Sequence, residues 1–142
     1  MEVSEVRRRL RAAVEEARTA AGERRGRTDA AARDYEAFLE QRAVPIFHQL
    51  ATALTSEGHL FKVFTPAQSV RLASERSHEE FIELTLDADA DPPAVVGRTS
   101  RGRGRRMVSS ERELAPARPI ASLTEEDVLD FLLREIAPLI EK

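Results

Sequence analysis

Between Gly97 and Arg106 the chain sets five arginines, Arg98, Arg101, Arg103, Arg105 and Arg106, among three glycines, although the whole protein carries a formal charge of −3. Guanidinium groups at this density repel one another and must be met by acids of the same fold or by an anionic partner. Both answers are open from the sequence. Residues 98–112 hold six arginines against Glu111, whereas residues 75–91 hold seven acids against Arg76. Two such segments lying side by side in a sheet would neutralise each other, since opposite charges across strands attract and like charges repel. The alternative is an exposed cationic tip that lies on phosphates and gains affinity by counterion release without reading a sequence. Arginine in place of lysine carries no weight here, because only Lys62 and Lys142 are lysines anywhere in the chain. The clustering does.

Other chemistry-bearing residues do not assemble into a recognisable site. Asp87, Asp89 and Asp91 match the opening of a calcium loop, but the sixth and twelfth positions, which need glycine and a bidentate glutamate, hold Pro92 and Arg98. His48, His59 and His78 fall in a helix, at a strand start and in a turn, without metal-ligand spacing. No metal or cofactor is implied. Glu79, Glu80 and Glu83 beside His78 would be an acid/base group only if they were desolvated, and their pattern places the first two in a turn and Glu83 on an open strand face. Nucleophile elbows, phosphate-cradling loops and dinucleotide glycine fingerprints are missing from the sequence. The motifs point to no known family and to no catalytic residue.

Stacking aromatics, which single-strand binders interleave with arginine, also lie outside the tract: Tyr35, Phe38, Phe47, Phe61, Phe64, Phe81 and Phe131 fall elsewhere. A pI near 5.7 likewise disfavours general affinity for nucleic acid. The function expected is therefore a noncatalytic protein–protein interaction or adaptor module that self-associates. Arg98, Arg101, Arg103, Arg105 and Arg106 would be its contact residues, with nucleic-acid or polyanion binding through Arg98–Arg106 as the alternative. No small-molecule substrate is expected.

The elements that must carry these residues follow from periodicity. Val3, Val6, Leu10, Ala13, Ala17 and Ala20 recur at alternating spacings of three and four, a narrow a/d seam on a helix of about 20 residues. The seam either docks on a second helix of the same domain or pairs with a second copy, with Val3, Val6, Leu10, Ala13 and Ala17 as the self-association residues. Gly26 and Arg27-Thr28-Asp29 read as a break, which sets an N-terminal arm, residues 1–26, ahead of a single α+β domain, residues 27–142. A second helix follows through Tyr35, Phe38, Leu39, Ala43, Ile46, Phe47, Leu50, Ala53 and Leu54. Pro45 bends it near Ala43-Val44, and Gly58 stops it.

After Gly58 the period falls to two. Residues 59–65, 69–74 and 81–87 read as strands, with Ile82, Leu84 and Leu86 inward, and residues 94–100 and 106–114 form a further hairpin. If Arg103-Gly104 make its turn, Arg101 faces Arg106. Leu123, Thr124, the acids of 125–127 and Val128 then spell a capped helix start, continued by Phe131, Leu132, Ile136, Leu139 and Ile140. Two helices, about five strands and one helix predict an α+β fold with an antiparallel meander and helices on one face.

Size and composition agree with this. A chain of 142 residues with 42% hydrophobic and 33% charged side chains can bury a core, and no apolar run reaches the roughly 20 residues of a membrane span. No cysteine is present, and the first ten residues lack the apolar run of a secretory signal. A cytoplasmic location and no membrane contact are the expectation.

Overall fold

A computed structural model describes residues 1–141. The chain is α+β: a long N-terminal helical region, five antiparallel strands in one open sheet, and a C-terminal helix. Helix α1 runs from Val3 to Phe38, a π turn from Leu39 to Ala43, and helix α2 from Val44 to Ser56. Strands β1 (Phe61–Phe64), β2 (Val70–Ser74), β3 (Phe81–Asp87), β4 (Ala94–Arg103) and β5 (Arg106–Glu113) pair in the order β1-β2-β3-β4-β5. A short 3₁₀ turn at Ile120–Ser122 leads into helix α3 (Glu125–Ile140).

The break expected at Gly26 is absent. Helix α1 passes through Gly26, Arg27, Thr28 and Asp29 without interruption, and neither Thr28 nor Asp29 caps a helix. One glycine inside a helix costs only about 1 kcal/mol relative to alanine. A glycine stop also needs left-handed backbone, which this chain adopts at Gly58 and not at Gly26. The interruption comes at the π turn. There the Val44 N–H donates to the Leu39 carbonyl, five residues back, just before Pro45, whose missing N–H could not have continued the regular ladder.

Helices α2 and α3 cover one face of the sheet. Ile46, Phe47, Ala51 and Leu54 of α2 and Val128, Phe131, Leu132, Ile136 and Leu139 of α3 pack with Val70, Leu72, Ile82, Leu84 and Val95 in one hydrophobic core. Burying such side chains is worth about 1.5–3 kcal/mol each. The register aligns Leu84 with Gly97, and Gly97 sits directly under Phe131: a Cβ there would come within 2.1 Å of the ring's Cζ. Glycine is therefore required by close approach at this point, not by a turn.

The C-terminal stretch of α1 joins the core through Tyr35 and Phe38. The Tyr35 hydroxyl donates to the Gln68 carbonyl at 2.6 Å, anchoring the helix to the loop before β2. Burial, together with the charge of Glu83, pushes the ionisation of this phenol well above its usual range. The start of α3 matches its sequence pattern atom for atom. The Asp127 N–H donates to Thr124 Oγ1 and the Thr124 N–H donates to Asp127 Oδ2, a reciprocal capping box.

Candidate functional site

Pairing in the β4–β5 hairpin decides where the arginines stand. Its two turn residues are Gly104 and Arg105, with Arg103 opposite Arg106 and Arg101 opposite Val108. The expected facing of Arg101 and Arg106 is therefore wrong by one step. The reason is Gly104, whose φ of +63° suits the first central position of a tight hairpin turn, where a residue with a side chain would be strained. The like-charge pair remains but moves to the last rung, as Arg103 and Arg106.

Arg98 stands apart from this tip. The register sets Arg71, Glu83, Arg98 and Glu111 in one row across β2, β3, β4 and β5, alternating in sign, on the sheet face opposite Gly97 and α3. Glu83 Oε2 lies 2.8 Å from Arg71 Nη2, and Glu83 Oε1 lies 3.4 Å from Arg98 Nη2. Both guanidinium groups also lie over the Phe81 ring, at 4.0 and 5.2 Å from its centre. Glu83 was expected on an open strand face. It is instead only 6% exposed, because the two long arginine side chains and the ring close over a short one.

Arg112 is matched on the helical face. Its Nε lies 3.3 Å from Glu135 Oε1, and Thr99 Oγ1 donates to Glu135 Oε2 at 3.1 Å. Glu135 is buried, and no motif in the sequence marks it. A signal existed: it interrupts the apolar stripe of α3 between Leu132 and Ile136, where a carboxylate is tolerated only with partners.

What is left is the tip. Arg101, Arg103, Arg105 and Arg106 make no ion pair among the described residues, while Arg71, Arg98 and Arg112 each have a carboxylate. The paired part of the acidic segment stops short of them, since β3 ends its pairing with β4 at Ser100. Arg103, Gly104, Arg105 and Arg106 are all exposed.

The second feature is the free half of α1. Val3, Val6 and Leu10 are 67%, 50% and 62% exposed, and Ala13 and Ala17 lie open beside them. Docking of this seam on the second helix, one of the two sequence readings, does not occur; contact with the rest of the molecule begins only around Ala20 and Ala21. The seam is held out along one continuous helix because that helix is never broken at Gly26.

The remaining polar residues stay dispersed. Asp87 Oδ1 accepts from the N–H groups of Asp89 and Ala90, closing a local turn rather than opening a cation site. His78 lies against Phe64 at 5.7 Å between ring centres, and His48 is exposed on α2. Among the described residues no three His, Asp or Glu side chains are grouped to hold a metal. No helix among them is long and apolar enough to cross a membrane. Comparison with protein-family models, with curated proteins and with solved structures finds no match to this chain.

Proposed function

We propose that this chain is a noncatalytic interaction module that self-associates through the free half of α1 and offers the β4–β5 tip as a second contact surface. The exposed seam Val3-Val6-Leu10-Ala13-Ala17 is the observation that carries the reading. Apolar residues scattered singly over a surface need no explanation, but a continuous stripe at helical spacing does. A helix of this kind, unsupported along about five turns, gains little stability alone in water. Burial against another helix supplies the missing packing.

Against catalysis stands the lining of the groove beside the Asp91–Pro93 loop. The groove between Ala31 and Asp34 of α1 and the segment Ala90–Val95, about 400 Å³, is walled largely by alanines and prolines, and its three carboxylates, Asp34, Asp91 and Glu113, have no histidine, serine or other nucleophile beside them in the lining. Its one arginine, Arg118, is already engaged with Asp127 Oδ1 at 2.7 Å and the Ser122 carbonyl at 2.8 Å.

Light scattering over a range of concentrations tests the reading. A dimer is expected, converting to a folded monomer when Met1–Arg25 is deleted. A full-length chain that stays monomeric at high concentration overturns it.

The four unmatched arginines favour one further reading, a polyanion such as nucleic acid at the tip. A salt titration of DNA and RNA binding checks this. Binding should weaken steeply with salt, and replacing Arg101, Arg103, Arg105 and Arg106 with alanine should flatten the slope by up to about four counterions. An unchanged slope, or no binding at low salt, removes the idea.

A further inference from the structure

We infer that α1 pairs with a second copy of itself in antiparallel sense, in the register that sets Val3 against the second copy's Ala20, Val6 against its Ala17 and Leu10 against its Ala13. This inference rests on the self-association proposed above and names the geometry of the partner.

Size is the first argument. The seam is divided: its first three members are large, Val3, Val6 and Leu10, and its last three are all alanine, Ala13, Ala17 and Ala20. Two paired helices keep a nearly constant separation of 8–10 Å over a few turns, so every layer must fill about the same volume. In the antiparallel register each of the six layers joins one large side chain to one alanine, and the volumes match throughout. A parallel, in-register pair would stack valine and leucine on themselves at one end and alanine on alanine at the other. Such a pair would be wedged apart at one end or hollow at the other.

Charge selects the same arrangement independently. Arg7, Arg8, Arg9 and Arg11 form a basic block, and residues 12–16 hold Glu15 and Glu16 with no basic residue. Antiparallel pairing in this register lays positions 7–11 along positions 12–16 of the second copy, twice by symmetry. Arg9 and Glu16 both flank the seam, at the heptad position just before Leu10 and Ala17, and so face each other across it. Parallel pairing would bring the two basic blocks together. Within one chain Arg9 already lies 3.1 Å from Glu5, while Glu16 makes no ion pair with another described residue and is free to receive an arginine from outside.

The exposed length agrees too. Val3 to Ala20 spans about 26 Å of helix, and Ala20 is where the helix begins to be covered by its own domain. The two ends of the free seam are thus the two residues that meet.

The chain has no cysteine, so introduced thiols report geometry without background. V3C and A20C, both at open or half-open positions of α1, are mixed and oxidised. A mixed V3C–A20C disulfide is expected, with little linkage of V3C to itself, because like residues would lie about 26 Å apart. A second arm uses charge. R9E and E16R should each dimerise about tenfold more weakly than the parent, since two attractive contacts become repulsive. Their equimolar mixture should recover parental affinity as the heterodimer, in which both contacts are attractive again. Circular dichroism of each variant confirms that the helix is retained.

A dimer that links V3C to V3C, or whose R9E and E16R forms show no preference for each other, overturns the antiparallel register and leaves self-association standing. A dimer that forms neither disulfide overturns the register as well. A parent chain that remains monomeric, or that associates only with a different protein, overturns both.

Discussion

Glu83, Gly97 and the four tip arginines show how one residue's neighbours decide its role. Glu83 sits between Arg71 and Arg98 with its carboxylate shared by both, so its buried charge is compensated where a lone one would destabilise the sheet. Gly97 is small because Phe131 lies where its side chain would be. Gly97→Ala forces the ring or the strand to move, and a destabilisation of about 1–3 kcal/mol is expected, read as a lower urea midpoint at unchanged slope. An unchanged midpoint would mean that the ring yields freely. At the tip nothing compensates Arg103 and Arg106 across their rung, which is why these positions, and not Arg98, are the ones to test for an anionic partner.

Among the elements, α3 is specified most locally. Thr124 and Asp127 cap each other, and Arg118 reaches the same carboxylate from the preceding loop at 2.7 Å. Its hydrogen bonds, first of all the one from the Arg118 guanidinium, hold the Asp127 carboxyl below its usual value of 3.8. A depressed carboxylate pKa means that the folded state favours the charged form, so the stabilisation is complete above the unfolded value. It is lost as pH falls from about 3.8 through the lower folded value. Unfolding midpoints measured from pH 6 to pH 2 should therefore show an acid-side decline that is shallower in Asp127→Asn. That variant should also be weaker at neutral pH, by up to about 1 kcal/mol, for the lost charge pairing with Arg118. Identical acid profiles would assign the decline to other carboxylates. The first helix has the opposite character: nothing caps its start, and its register with the domain is set by Tyr35 and Phe38 near its far end.

For the molecule as a whole, the first buried side chain in the chain is Tyr35, so the core and the free half of α1 are energetically separable. Deletion of Met1–Arg25 should leave the unfolding free energy, read from urea titration at concentrations below dimerisation, within about 0.5 kcal/mol of the parent, because no side chain in that stretch is buried and exposed positions seldom contribute more. A large loss would show that the projecting helix braces the domain. The strand order, the capped start of α3, an interruption of the regular helix before Pro45 and the large-then-small seam were all legible in the sequence, since each depends on residues close together along the chain: alternation, a Thr-to-Asp spacing, a missing N–H, a 3–4 repeat. The Gly104-Arg105 turn, the burial of Glu83 and Glu135, and the difference between matched and unmatched arginines were settled only by tertiary structure. Each of these turns on what approaches from another element, such as Arg71 and Arg98 over Glu83, or on a backbone angle chosen to satisfy a whole strand register, and spacing along the chain carries no record of either.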